Sequence, residues 1–165
     1  MEERKAMVSS FLPSYLICID EEKNGALSGK VYTGAKQFSD ISFEDLPQML
    51  VKIDEICDLL NCPMAWNENR AAKQPENKKV MNKEQVKGVL SKMRNFDTES
   101  RKGNKATFIL NINFRQNASW QGTVRWVEKK QLFKFRSALE LIKYIDEVCA
   151  QGYEAEVIDA DEKAM

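Results

Sequence analysis

The sequence predicts an α+β fold: two β-β-α units paired into one antiparallel sheet, helices on one face, related by a pseudo-two-fold axis. Three observations predict it. The first is a repeat, because residues 15–57 and 108–149 read as two copies of one unit. Tyr15-Leu16-Ile17-Cys18-Ile19-Asp20 leads to Asn24, Gly29 and Val31, and Phe108-Ile109-Leu110-Asn111-Ile112-Asn113 leads to Asn117, Gly122 and Val124, each 93 positions later. After a slip of one residue, Phe43 to Cys57 matches Phe135 to Cys149. The second is period: each copy passes from strand alternation to helical spacing. The third is size. A unit of about 45–50 residues buries too little to stand alone, and pairing two such units also covers an exposed strand edge from each.

The elements follow in chain order. Tyr15, Ile17 and Ile19 alternate with Leu16, Cys18 and Asp20, which marks a first strand. Asn24-Gly25 is a hairpin turn signal, and a second strand lies around Gly29–Thr33. Gln37–Ile41 is a weak third strand. The first helix has Asp45 as N-cap with Gln48 at the third helical position, and Pro47 falls in the first turn, where its missing N–H costs little. Its apolar stripe is Leu46, Met49, Leu50, Ile53, Ile56 and Cys57. An insert follows, with a helix from about Lys83 to Phe96 capped by Asn82, between loops near 67–80 and 97–105. The second copy repeats the plan: Thr107–Phe114, a turn near Gln116-Asn117-Ala118, Trp120–Val127, Gln131–Phe135, and a helix capped by Ser137 and Glu140. Its stripe is Ala138, Leu141, Ile142, Ile145, Val148 and Cys149. The chain thus divides into a first repeat at 1–65, a basic insert at 66–105, a second repeat at 106–152 and an acidic tail at 153–165 that frays from Glu154, the repeats sharing one core.

Composition sets bounds on function. Forty-three per cent hydrophobic and 30% charged residues are globular values. No apolar run approaches the roughly 18 residues a bilayer span needs, and the charged start Met1-Glu2-Glu3-Arg4-Lys5 is no secretory signal. The expected location is the cytoplasm, away from any membrane. Net charge is zero but unevenly spread: −5 over residues 1–65, +6 over 66–105 and −1 over 106–165. Cys57 and Cys149 take equivalent apolar positions, where free cysteine acts as a small hydrophobe. No metal site or cofactor is expected.

Candidate chemistry is sorted by strand parity. Phe108, Leu110, Ile112 and Phe114 share one face, with Trp120, Val124 and Trp126 joining them beneath the helices. Gly122 fits as a bulge or as a gap covered by a ring. The opposite face collects Asn111, Asn113, Arg115, Gln121, Thr123 and Arg125. Side-chain amides beside two arginines suit planar or anionic groups, so Asn111, Asn113, Arg115, Gln121 and Arg125 are the candidate ligand-binding set. The first copy has Cys18, Asp20, Lys30 and Tyr32 at equivalent or neighbouring positions. Catalysis has little to stand on. There is no histidine, and Asp54-Glu55 and Asp146-Glu147, though repeated, are neighbours on a helix and point apart. The expectation is a non-enzymatic binding or regulatory module for an unknown protein or small-molecule partner. The alternative is a nucleic-acid binder using Lys78, Lys79, Lys83, Lys87 and Lys92 of the insert.

Some stretches carry a resemblance. Asn117-Ala118-Ser119-Trp120-Gln121-Gly122 is similar to the Asn-x-Ser-x-x-Gly motif of PilZ domains, which bind cyclic di-GMP, but Arg94 and Arg101 stand at the wrong spacing for that family's arginine pair. Helix, strands and helix over residues 83–150 resemble double-stranded-RNA-binding domains, yet the last helix opens Ser137-Ala138-Leu139-Glu140 without their lysine cluster. Residues 113–122, continuing into Phe135-Arg136-Ser137-Ala138-Leu139-Glu140-Leu141, resemble a group of small proteins from Firmicutes, gut clostridia among them. That resemblance covers the last third of the chain. It implies a bacterial, cytosolic protein and transfers no activity.

Overall fold

Six strands form a single antiparallel sheet in the order β3-β2-β1-β4-β5-β6. The strands are β1 Ser14–Lys23, β2 Ala26–Tyr32, β3 Ile41–Phe43, β4 Ala106–Phe114, β5 Gln121–Trp126 and β6 Gln131–Phe135. The helices are α1 Leu46–Leu60, α2 Lys83–Lys92 and α3 Ala138–Lys163. The structure is a computed structural model that describes residues 12–38, 40–63, 81–93, 96–116 and 119–163, with side chains as far as Gln151 in the last stretch. The loop expected at 67–80, with Lys78 and Lys79, and the Asn117-Ala118 turn lie outside the described residues.

Local chemistry explains most boundaries. Asn24 and Gly25 have φ of 53° and 80°, the two positive values that a tight primed turn needs between β1 and β2. Asp45 caps α1 by accepting from the Gln48 N–H at 2.7 Å, while the Gln48 side chain accepts from the Glu44 N–H at 2.7 Å. The same pair of bonds opens α3, where Ser137 accepts from the Glu140 N–H and Glu140 from the Arg136 N–H. Asn82 and Gln85 complete a reciprocal capping box on α2.

Three boundaries depart from expectation. The third strand begins at Ile41 rather than Gln37, because the Thr33 hydroxyl bonds to backbone at Ala35 and Phe38 and holds 33–38 as a turn. Helix α2 stops at Lys92, four residues short of Phe96. Helix α3 runs on to Lys163 instead of fraying from Glu154. Its last ten residues are mostly glutamate, alanine and other residues compatible with helix, free of glycine and proline, so local propensity carries it on.

Packing is asymmetric between the two sheet faces. One face carries Tyr15, Ile17, Ile19, Val31, Phe43, Phe108, Leu110, Ile112, Val124 and Phe135, all buried against the stripes of α1 and α3. Trp120 and Trp126 lie in this core as expected. Val89, Leu90 and Met93 of α2 join the same cluster, so α2 contributes to the one shared core. On the other face Leu16 and Cys18 are also buried. Their cover is a strap, residues 96–105, which leaves α2 and crosses β1 and β2 before entering β4. Arg101 stacks its guanidinium 4.4 Å above the Tyr32 ring. The Gly103 N–H donates to Thr107 Oγ1, Asn104 N–H to Asp20 Oδ1 and Lys105 N–H to the Ile19 carbonyl. Gly103 must be glycine here, since a Cβ would meet the backbone of Ile19 and Ala106. The stretch expected as a loop at 97–105 is therefore tied to the sheet from Arg101 to Lys105. A cleft of about 510 Å³ remains between the strap and the end of β2.

No described helix is long and apolar enough to cross a membrane.

Candidate functional site

The candidate site is the strap-side face of the sheet where it continues over β4, β5 and β6. Register sets its rows. Ile109, Arg125 and Leu132 stand side by side in one row, and Asn111, Thr123 and Lys134 in the next. Phe114 and Gln121 form the third. Cross-strand neighbours share a face, so each row projects away from α1 and α3. No carboxylate stands in these rows. At the Thr107 border, Glu128 is occupied by accepting from the Thr107 N–H at 3.1 Å.

A β-bulge rearranges the expected binding set. Between β4 and β5 the register runs Ile112 opposite Gly122, then Phe114 opposite Gln121, so Asn113 is the extra residue. Parity flips beyond it. Phe114, expected in the core, lies on the open face and is 53% exposed. Arg115, expected on the open face, turns under α1 and is 5% exposed. There its Nε donates to the Pro63 carbonyl at 2.6 Å, and its NH1 donates to Asp58 at 2.7 Å and Asp54 at 3.1 Å. Asp54 also accepts from the Trp120 indole at 3.1 Å. Burial alone would lower the Arg115 pKa, but the bond to Asp58, the neighbouring Cys57 and Asp54 outweigh it and the net shift is upward. Arg115 is a structural clamp between β4 and the C-terminal end of α1, and Asp54 is its partner.

The other four candidates fare differently. Arg125 is exposed, in the middle of its row, and makes no hydrogen bond or ion pair with any described residue. Asn111 lies on the face and accepts from the Ser14 hydroxyl on β1. Gln121 is on the face, but both ends of its amide are committed: it accepts from the Gln116 N–H and donates to the Gln116 and Arg136 carbonyls. It closes the β4–β5 connection. Asn113 occupies the bulge, half-buried. The face that remains is Arg125, Asn111 and Thr123, together with three residues that parity alone did not select: Phe114, Leu132 at 63% exposure, and Lys134. The signal that could have found Phe114 was Gly122. A Cβ there would meet the Asn111 carbonyl, the crowding expected beside a bulge.

Among the described residues the insert lysines do not converge. Lys83 and Lys87 lie one turn apart on α2, and Lys92 stands roughly 180° round the helix from Lys83. The cysteines are all free thiols. Burial pushes Cys57 and Cys149 up to about 12 and Cys18 to about 11. The Tyr15 hydroxyl lies 3.2 Å from the Cys57 sulfur, inside the core. Cys18 sits on the opposite side of the sheet. No cluster of three metal-ligating side chains occurs among the described residues.

No family model matches the chain, and neither a curated protein nor a solved structure matches it.

Proposed function

We propose that this chain is a non-enzymatic binding module made by internal duplication, whose ligand lies on the open sheet face over β4–β6. Duplication is supported by more than the repeat. Leu16 pairs with Ile109, its own counterpart 93 residues on, as a two-fold axis between β1 and β4 requires. The β1–β2 ladder has its bulge at Asp20, opposite the end of Gly29, and the β4–β5 ladder has one at Asn113, near Gly122. Both glycines take the same close approach to a neighbouring carbonyl, that of Cys18 and that of Asn111. Both repeats open their helix with the same two capping bonds.

One observation carries the functional reading: the face that the strap covers in the first repeat is left uncovered by any described segment in the second. There Phe114 and Leu132 are exposed on the same face as Arg125 and Lys134. Duplicated units that diverge in this way divide labour, one completing the sheet and the other presenting a surface. The four free cysteines suit a reducing compartment, in line with the cytoplasm.

The test is amide NMR against a small panel: an oligonucleotide, polyglutamate, a polylysine control and nucleotides. Shift changes confined to 109–114, 121–125 and 131–135 support the reading. Changes confined to α2 or the strap side of β1 and β2, or none with any member, would defeat it.

A further inference from the structure

Resting on that binding face, we propose that its ligand is single-stranded nucleic acid, held by Arg125 and Lys134 on phosphates and by Phe114 under a base. The face offers the three kinds of contact such a strand uses. Arg125 and Lys134 stand on adjacent strands in adjacent rows, both exposed, with no carboxylate in any of the three rows to compete for them. That pairing is complementary to a polyanion and unsuited to an acid-poor partner. Phe114 lies at the end of the same face with half its surface in water. A benzene ring so exposed is a stacking platform, and every base has a π face to lay on it. Asn111 adds a side-chain amide that can meet a base edge.

Dimensions agree. Alternate residues along a strand stand about 7 Å apart, so three rows span about 14 Å, room for two or three nucleotides laid across the sheet. A duplex is a poorer fit. The face is open and unwalled, and reading a groove would need a projecting helix or ribbon. The rows hold none. Unpaired bases can instead splay onto an antiparallel sheet. The basic insert is not required, because its described lysines face different ways around α2.

Fluorescence anisotropy with an end-labelled oligothymidylate, single-stranded and then annealed, decides the matter. At about 50 mM salt the single strand should bind and the duplex should bind more weakly, with log affinity falling against log salt at a slope of about −1.4, two phosphates at about −0.7 each. Phe114→Ala should weaken binding by about 5- to 150-fold, and Phe114→Tyr should restore it. Arg125→Glu should weaken it by at least about tenfold. Lys83→Glu with Lys87→Glu should leave it unchanged. Equal binding of duplex, indifference to Phe114 and Arg125, or loss in the Lys83/Lys87 variant would overturn the proposal. So would binding of polyglutamate in place of the oligonucleotide, an outcome that leaves the binding face itself intact. Silence from every probe, or binding confined to α2 or to the strap side of β1 and β2, takes both readings down.

Discussion

Arg115 and Arg125 are ten residues apart, alike in chemistry, and opposite in role. Arg115 makes three hydrogen bonds under α1, whereas Arg125 reaches into water. Arg115→Ala should therefore destabilise the fold by about 3 kcal/mol, the low end for a broken buried pair, because Asp54 and Asp58 keep access to solvent. Arg125→Ala should stay within about 0.5 kcal/mol of wild type. Urea melts of the two variants check the contrast, and a reversed ranking would undo the face assignment. Trp126→Ala should cost about 3–5 kcal/mol by emptying core volume. Trp126→Phe should cost much less, since the indole N–H is buried without a hydrogen-bond partner among the described residues. The thiols set a pH dependence. Burial lifts Cys57 and Cys149 from 9.0 to about 12, so the unfolded chain releases these protons first. Stability should be flat below about pH 9 and fall as pH rises toward about 12, which melts at about pH 7 and about pH 10 will show. Replacing both cysteines with alanine should reduce that slope, leaving the part that Cys18, lifted to about 11, contributes.

At the scale of elements, caps and periods were legible in the chain and parity past a bulge was not. Asp45, Asn82 and Ser137 mark helix starts because side-chain oxygens satisfy orphan N–H groups locally. Such bonds depend on near neighbours and can be read without the fold. The bulge at Asn113 depends on what β5 does across the ladder, so alternation misassigned Phe114 and Arg115 together. Three of the five candidates, Asn111, Gln121 and Arg125, remain on the face, and only Arg125 is both exposed and uncommitted. The strap was illegible for a similar reason. Its polar, charged composition reads as loop, while its order comes from Tyr32, Asp20 and Ile19, between 69 and 86 residues earlier. Tyr32→Ala should loosen it, raising tryptic cleavage after Arg101 and Lys102 by about 2- to 5-fold, the worth of one exposed cation–π contact. Mass spectrometry of early fragments reads this directly, and an unchanged rate would mean that the backbone bonds alone hold the strap.

For the whole molecule, the decisive contact is β1 against β4. It runs through six residue pairs from Ser14–Asn111 to Ile19–Ala106 and joins the halves at the middle of the sheet. Core residues from both halves and from α2 form one cluster. Residues 1–65 or 106–165 expressed alone should therefore be poorly folded, because each loses the neighbour that buries its longest strand. A dispersed NMR spectrum from either fragment by itself would contradict this.

The strand order also governs how the protein behaves when crowded with its own copies. The two longest strands, ten and nine residues, are paired on both sides, and the two at the margins have three and five. A margin that short offers few unpaired backbone groups for another chain to copy, which is how natural sheets resist edge-to-edge aggregation. On β6 the outward Lys134 adds charge to the longer margin, beside the exposed Leu132. A change at Lys134 that removes its charge would leave Leu132 beside an unguarded edge, and growth of β-rich aggregates would be its visible cost.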